Sequence, residues 1–197
     1  MDDACGGTLQ STITCQRCQH ASHCFDPFLD LSVPMPKRKS AVLSTSSDVD
    51  LHACLRTFTE TETLDGRDKY MCVKCKSPQP ATKRLSIYSF PTILIVHMKR
   101  FASSGGGVMS RLVSHQKDST PVRFDREGLD LSAYASPAVR SRRAVYDLYA
   151  VSNHSGSLGG GHYTAVAKHL KDDQWCAPIP TPHSSATFCS FPCPSSP

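Results

Sequence analysis

The sequence predicts an α+β fold, rich in strands and tied together by a structural metal site. Three observations carry that expectation. Apolar and polar residues alternate over several short segments, 8–14, 145–151 and 163–167 among them, which is the period of a half-buried strand. Helical spacing occurs once: Leu51, Cys54, Leu55 and Phe58 fall at i, i+3, i+4 and i+7. Two Cys-x-x-Cys pairs, Cys15/Cys18 and Cys72/Cys75, are separated by 53 residues and can together complete one four-sulfur shell.

Whole-chain properties narrow the class. The 197 residues suffice for one domain or part of a larger one. A hydrophobic share of 39% with 20% charged residues belongs to a globular chain. The net charge of +5 is mild and scattered, with brief clusters only at Lys37-Arg38-Lys39 and at Arg140, Arg142, Arg143. Both clusters read as solvated loops, and without a basic stripe no nucleic-acid partner is expected. The N-terminus, MDDACGGTLQ, has no apolar signal core, and no long apolar run follows. No membrane span is therefore expected, and the setting is cytoplasmic or nuclear. Ten cysteines in such a reducing setting point to metal binding, catalysis or buried thiols and away from a disulfide framework.

In order, Thr8 to Thr14 alternates weakly and runs into the first cysteine pair. Phe25 to Pro34 is a short extended segment punctuated by Pro27 and Pro34, and 35–48 is a polar loop. Asp50 starts the short helix. Leu64-Asp-Gly-Arg-Asp is a turn leading into the second pair. Ala81 to Tyr88 reads as a strand and Thr92 to His97 as a second, fully buried one. Ser103 to Gly107 is a loop. Val122, Phe124, Leu129 and Leu131 mark short extended pieces before a Ser/Arg-rich break at 136–143. Residues 176–197 are rich in proline and serine without periodicity, which predicts a disordered tail.

Between that break and the tail lies VYDLYAVSNHSGSLGGGHYTAVAK, 145–168. It reads as two strands joined by a polar loop ending in Gly159, Gly160 and Gly161, where backbone can bend and be approached closely. His162 follows at the start of the second strand. A titratable base on a rigid strand beside such a loop suits catalysis; a surface hairpin with an incidental histidine suits the same residues.

Each cysteine pair can place two thiolates on a knuckle-like turn, with sulfurs about 2.3 Å from a shared ion. Four sulfurs around Zn2+ leave no open position, so the site of Cys15, Cys18, Cys72 and Cys75 is expected to be structural. It would clamp two hairpins distant in sequence. Cys5, Cys24 and Cys54 read as core residues, Cys176, Cys189 and Cys193 as incidental, and His20 and His23 as competing ligands only.

The order of these pieces carries a resemblance. Cys15-x-x-Cys18, Phe25-Asp-Pro-Phe-Leu-Asp-Leu-Ser-Val-Pro, Cys54-Leu, Leu64-Asp-Gly and Cys72-x-x-Cys75 come in sequence. Pro91-Thr-Ile-Leu-Ile-Val-His-Met-Lys-Arg-Phe follows, then Tyr149-Ala-Val-Ser-Asn-His-Ser-Gly and Gly161-His162-Tyr163-Thr164-Ala165. Together they strongly resemble the ubiquitin-specific proteases, a family of cysteine-type deubiquitinases, from about residue 5 to Trp175. The resemblance implies a papain-like fold with fingers at about 5–90 and palm at about 90–175, together a partial catalytic domain over 1–175 from which the thumb is missing. It implies ubiquitin and ubiquitinated proteins as partners, with the zinc-bearing fingers gripping ubiquitin's globular body. It makes His162 the catalytic base, and Gly159, Gly160, Gly161 and Tyr163 the loop over ubiquitin's C-terminal tail.

Two parts of the family pattern are absent. The family's nucleophile lies in a Gly-x-x-Asn-x-Gly-Asn-Thr-Cys box well upstream of the first zinc pair. Here fourteen residues precede Cys15, and the sole asparagine is Asn153. Cys5 and Cys24 lack that context, and Cys5 is expected on a fingers strand. The family's third catalytic residue, an Asn or Asp shortly after the tryptophan, is missing too, since Cys-Ala-Pro-Ile-Pro-Thr follows Trp175. The class function is hydrolysis of isopeptide and peptide bonds at the C-terminal glycine of ubiquitin, and this polypeptide alone is expected to be inactive. The alternative is a non-catalytic, zinc-containing ubiquitin-binding module; a zinc protein that binds nucleic acid is disfavoured by the scattered charge. Without a thumb, the palm strand at Ile93 to Val96 is expected to expose an apolar patch.

Overall fold

A computed structural model describes residues 2–36, 49–101, 117–140, 144–157, 160–169 and 171–176. The expected loop at 103–107, residues 37–48 of the loop expected at 35–48, the cationic residues Lys37, Arg38, Lys39, Arg142 and Arg143, Gly159, and the tail beyond Cys176 lie outside the described residues.

A single helical turn, α1 (Asp2–Cys5), precedes β1 (Gly7–Cys15) and β2 (Ala21–Phe28). In β3 (Leu31–Pro34) the alternate residues Leu31 and Val33 are buried, as a period of two requires. β4 (Val49–Asp50) runs directly into α2 (Leu51–Phe58). Asp50 is extended, and its carboxylate accepts the Ala53 N–H at 2.5 Å, capping the helix. Leu51, Cys54 and Leu55 turn inward, as their spacing predicts.

β5 (Glu62–Leu64) leads through the turn at Gly66, whose φ of +59° suits glycine, into β6 (Tyr70–Cys72), β7 (Ser77–Gln79) and β8 (Ala81–Ser89). β1 lies between β2 and β8, and β5 closes the far edge, giving one antiparallel sheet of order β2-β1-β8-β5. β6 and β7 form a separate hairpin with Cys72 opposite Ser77.

β9 (Val96–Lys99) pairs in parallel with β3, Leu31 against Val96 through Pro34 against Lys99. The expected fully buried strand over Thr92–His97 is corrected here. The strand begins at Val96, and Ile95 is 47% exposed. The β3–β9 ribbon is covered by core on one side only, so Val96 and Met98 pack inward while Ile95 and His97 face outward.

β10 (Val122–Arg123) pairs in parallel with β4, and β11 (Leu129–Asp130) antiparallel with β12 (Val145–Tyr146). A separate three-stranded sheet contains β13 (Ala150–Ser157), β14 (Gly160–Lys168) and β15 (Trp175–Cys176). This corrects two expectations. Residues 145–151 are not one strand, and of the expected loop, residues 152–157 and 160–161 are strand. Pairing runs from Ala150 against Ala167 to Ser157 against Gly160, because ladder hydrogen bonds use backbone groups and tolerate the polar side chains of Ser152 to Ser157. Cys176 likewise belongs to β15 and not to the tail.

The core gathers Leu31 and Val33 of β3, Leu51, Cys54 and Leu55 of α2, Ile87 of β8, and Leu129, Leu131 and Tyr134. Burial pushes the Cys54 thiol above its ordinary range, as fits a core residue. Cys24 departs from its expected core position and is exposed, because β2 is an edge strand. Cys5 is also corrected: it ends α1 and does not lie on a strand. The neighbouring Ala4 carbonyl accepts the Ile93 N–H at 2.8 Å, so α1 rests against the segment before β9.

Candidate functional site

The four predicted metal ligands meet. Their sulfur atoms all lie within 4.8 Å of one another. Cys15 Sγ is 4.0 Å from Cys75 Sγ, and Cys18 Sγ is 3.6 Å from Cys72 Sγ. A tetrahedral ion with Zn–S bonds of about 2.3 Å needs sulfurs about 3.8 Å apart, so the donor set fits Zn2+ closely. Two matching turns build it. Gln19 and Lys76, each directly after the second cysteine of its pair, take φ of +56° and +55°. The Gln19 N–H donates to Cys15 O at 2.9 Å, and the Lys76 N–H to Cys72 O at 2.8 Å. Two non-glycine residues in this left-handed region mark a backbone shaped for the site.

The thiols perturb one another in opposite directions. The Cys75 N–H donates to Cys72 Sγ at 3.5 Å, and this donation holds the Cys72 thiol down at about 7. Hydrogen bonding with Cys18, followed by burial, pushes Cys75 up to about 12. His20 and His23 do not join the group among the described residues. The Nδ1 of His23 instead lies 3.0 Å from Gln10 Nε2 and from Thr12 Oγ1 on the sheet.

His162 sits on β14 opposite Ser155, whose hydroxyl donates to the His162 carbonyl at 3.3 Å. Its ring makes no hydrogen bond among the described residues. Gly160 and Gly161 belong to β14. A side chain at Gly161 would collide with the His154 ring and the Ser155 carbonyl, so glycine is required there.

Strand alternation turns Tyr163 away from His162, onto the face that holds His154. The His154 ring lies 4.7 Å from that of Tyr163 and 5.9 Å from that of Phe101. Lys117 Nζ donates to the His154 carbonyl at 2.5 Å. This group of Phe101, Lys117 and His154 was missed in the sequence. Only the ladder register, which sets His154 against Tyr163, reveals it. It lines one end of a broad groove of about 1190 Å³ running past Ile93, Leu94 and Ile95.

The described cysteines do not supply His162 with a partner on its own sheet. Cys176 faces Ala167 across the β14–β15 ladder, five residues from His162 and so about 17 Å along the strand. The nearby acids Asp172 and Asp173 belong to the turn before β15, where Asp172 lies 2.7 Å from His169 Nδ1 and Asp173 3.3 Å from Lys168 Nζ.

Residues 1–178 match the family model described as ubiquitin carboxyl-terminal hydrolase. Ubiquitin carboxyl-terminal hydrolase 2 of Gallus gallus is 43% identical over 86% of this chain and 43% of its own length. The Homo sapiens protein of the same name is 41% identical over 86% of this chain and 26% of its own. A chain of the solved SAGA DUB module Ubp8/Sgf11/Sus1/Sgf73 bound to monoubiquitin superposes with a TM-score of 0.70 at 32% identity, covering 88% of this chain and 35% of that one. This chain therefore spans less than half the length of those relatives. These similarities, above all the family model over residues 1–178, place the chain in the ubiquitin carboxyl-terminal hydrolase family, as a member of the ubiquitin-specific protease group.

Proposed function

We propose that this chain carries the histidine half of a thiol deubiquitinase site, whose reaction hydrolyses isopeptide and peptide bonds at the C-terminal glycine of ubiquitin. The observation that carries the reading is the Gly160-Gly161-His162-Tyr163 strand, which presents His162 on one face while Gly161 and Tyr163 pack against His154 on the other. His162 takes the proton of a cysteine thiol, leaving thiolate to attack the carbonyl, and returns that proton to the departing amine. Gly159, Gly160, Gly161 and Tyr163 border ubiquitin's extended tail, and Phe101 and His154 extend that border. Residues 5–90 act as fingers and 90–175 as palm. Cys15, Cys18, Cys72 and Cys75 hold Zn2+ in a structural role. The proposed setting is cytoplasmic or nuclear.

A chimera tests this. Residues 5–168 replace the matching stretch of the Gallus gallus relative, and a fluorogenic ubiquitin C-terminal substrate reports turnover. The chimera is expected to turn over, and His162→Ala to reduce the rate by about 10²-fold or more. A folded chimera without activity, or one indifferent to His162→Ala, sinks the proposal. The 197-residue polypeptide by itself is expected to show no turnover, since no described cysteine is placed beside His162 on its sheet. Turnover that His162→Ala removes would overturn that part.

The intact sulfur cluster favours a second reading, a non-catalytic ubiquitin-binding module. Titration of labelled ubiquitin decides it, and no saturable binding at high micromolar concentration removes it.

A further inference from the structure

Folding gathers charge that looks scattered in the sequence. Residues 10–25 and 69–84 are brought together by the β1–β8 ladder and the four cysteines. These two spans contain Arg17, Lys69, Lys74, Lys76, Lys83 and Arg84 and not one Asp or Glu, in a chain whose whole net charge is +5. Lys83 faces Glu62 across the β5–β8 ladder. Arg17, Lys69, Lys74 and Lys76 are exposed, and none of them forms a salt bridge among the described residues. The acids bordering these spans are Asp26 on β2 and Asp65 and Asp68 in the turn before β6, where Asp65 accepts the Gly66 N–H. A Zn2+ ion with four thiolates carries a net charge of about −2. Two of the four exposed cations offset that, and two are in excess.

An apolar feature occupies the same end. Met71 and Val73 flank the buried Cys72 and are 59% and 68% exposed. Pro78, opposite Met71 in the β6–β7 ladder, is exposed as well. Single exposed aliphatic residues are ordinary. Three together, between unpaired cations, form a surface with both charge and an apolar centre.

We propose that this zinc end is a docking surface for an acidic polypeptide segment carrying an aliphatic side chain. Arg17, Lys69, Lys74 and Lys76 attract and orient the segment, while Met71, Val73 and Pro78 supply its apolar contact. The exposed apolar side chains of the β6–β7 hairpin, Met71, Val73 and Pro78, are aliphatic, whereas base stacking needs a ring, and the exposed rings of these spans, His23 and Phe25, lie apart on β2. Charge and apolar character together therefore favour a protein segment.

Fluorescence anisotropy on the zinc-loaded chain tests the proposal, with a labelled peptide of Glu and Asp around a central Leu as probe. Saturable binding is expected, weakening about tenfold or more between ~50 and ~200 mM salt. Arg17→Glu with Lys74→Glu should weaken it by about tenfold or more, with zinc content and far-ultraviolet circular dichroism reporting the fold. If that pair fails to fold, Lys69→Glu with Lys76→Glu replaces it. Met71→Ser with Val73→Ser should reduce affinity for the Leu peptide to that for the same peptide with Ser at its centre. No saturable binding by the folded chain overturns the proposal. So does tighter binding of a single-stranded oligonucleotide of equal charge, or equal affinity for the Leu and Ser peptides.

Discussion

The zinc end and the His162 sheet are both built from hairpins, yet they reach order by different means. At the zinc end every ligand comes from this chain, and the two turns present matching backbone to one centre. The His162 sheet has its ladders and, from outside, the contacts of Phe101 and Lys117 with His154. No residue of β13 or β14 belongs to the buried core cluster, and Tyr163 is 69% exposed. A metal centre is closed once its four ligands converge, because the ion satisfies every sulfur. An active-site sheet is closed only when a second body covers it and brings the reacting partner.

The sharpest way to break this comparison is to remove the metal. Structural zinc contributes about 10–16 kcal/mol in zinc-finger peptides, on the order of a whole domain's stability of about 5–15 kcal/mol. Chelation, or Cys72→Ser, is therefore expected to abolish cooperative thermal unfolding seen by circular dichroism. An unchanged midpoint after verified zinc loss would show that the ladders alone hold that end. Leu131→Ala in the shared core is expected to cost about 2–5 kcal/mol in urea denaturation, since Leu131 is fully buried. A smaller loss would mean that the core collapses around the gap.

Gly161→Ala sharpens the other side of the comparison. The added methyl meets His154 and the Ser155 carbonyl, a strain of about 1–3 kcal/mol. Hydrogen exchange should show lost protection in β13 and β14 with α2 unchanged, and a uniform loss would refute the independence of that sheet. The smallest effect is expected for Asp50→Ala, about 1 kcal/mol through the lost cap, again read from urea curves. In native protein, iodoacetamide should modify exposed Cys24 well before Cys54, whose thiol burial pushes up; mass spectrometry of partial digests gives the order.

Local chemistry made much of this legible without coordinates. The helix from Asp50 was readable because its cap and its inward positions are close in sequence. The strand at 81–88 and the Gly66 turn followed in the same way. The failures share a cause. Ile93 to Val96 reads as buried because apolar runs carry no record of how many faces will be covered. The polar stretch after Val151 reads as a loop because side-chain polarity says nothing about backbone pairing. Cys24 looked like core because an edge strand is defined by what does not pair with it.

By itself, then, the sequence determined which four cysteines converge, the helix that starts after Asp50, the candidate base His162 and the family, since each rests on residue type at short spacing or on motif order. Only the tertiary structure decided that β3 pairs in parallel with β9 across more than sixty residues, that His154 and Phe101 stand behind Tyr163, and that the turn carrying Arg17 meets the turn carrying Lys74 at the four cysteines. Those facts depend on which distant segments meet. Pairing of that kind is selected by the balance of burial, register and chain closure over the whole molecule, and no local pattern encodes it.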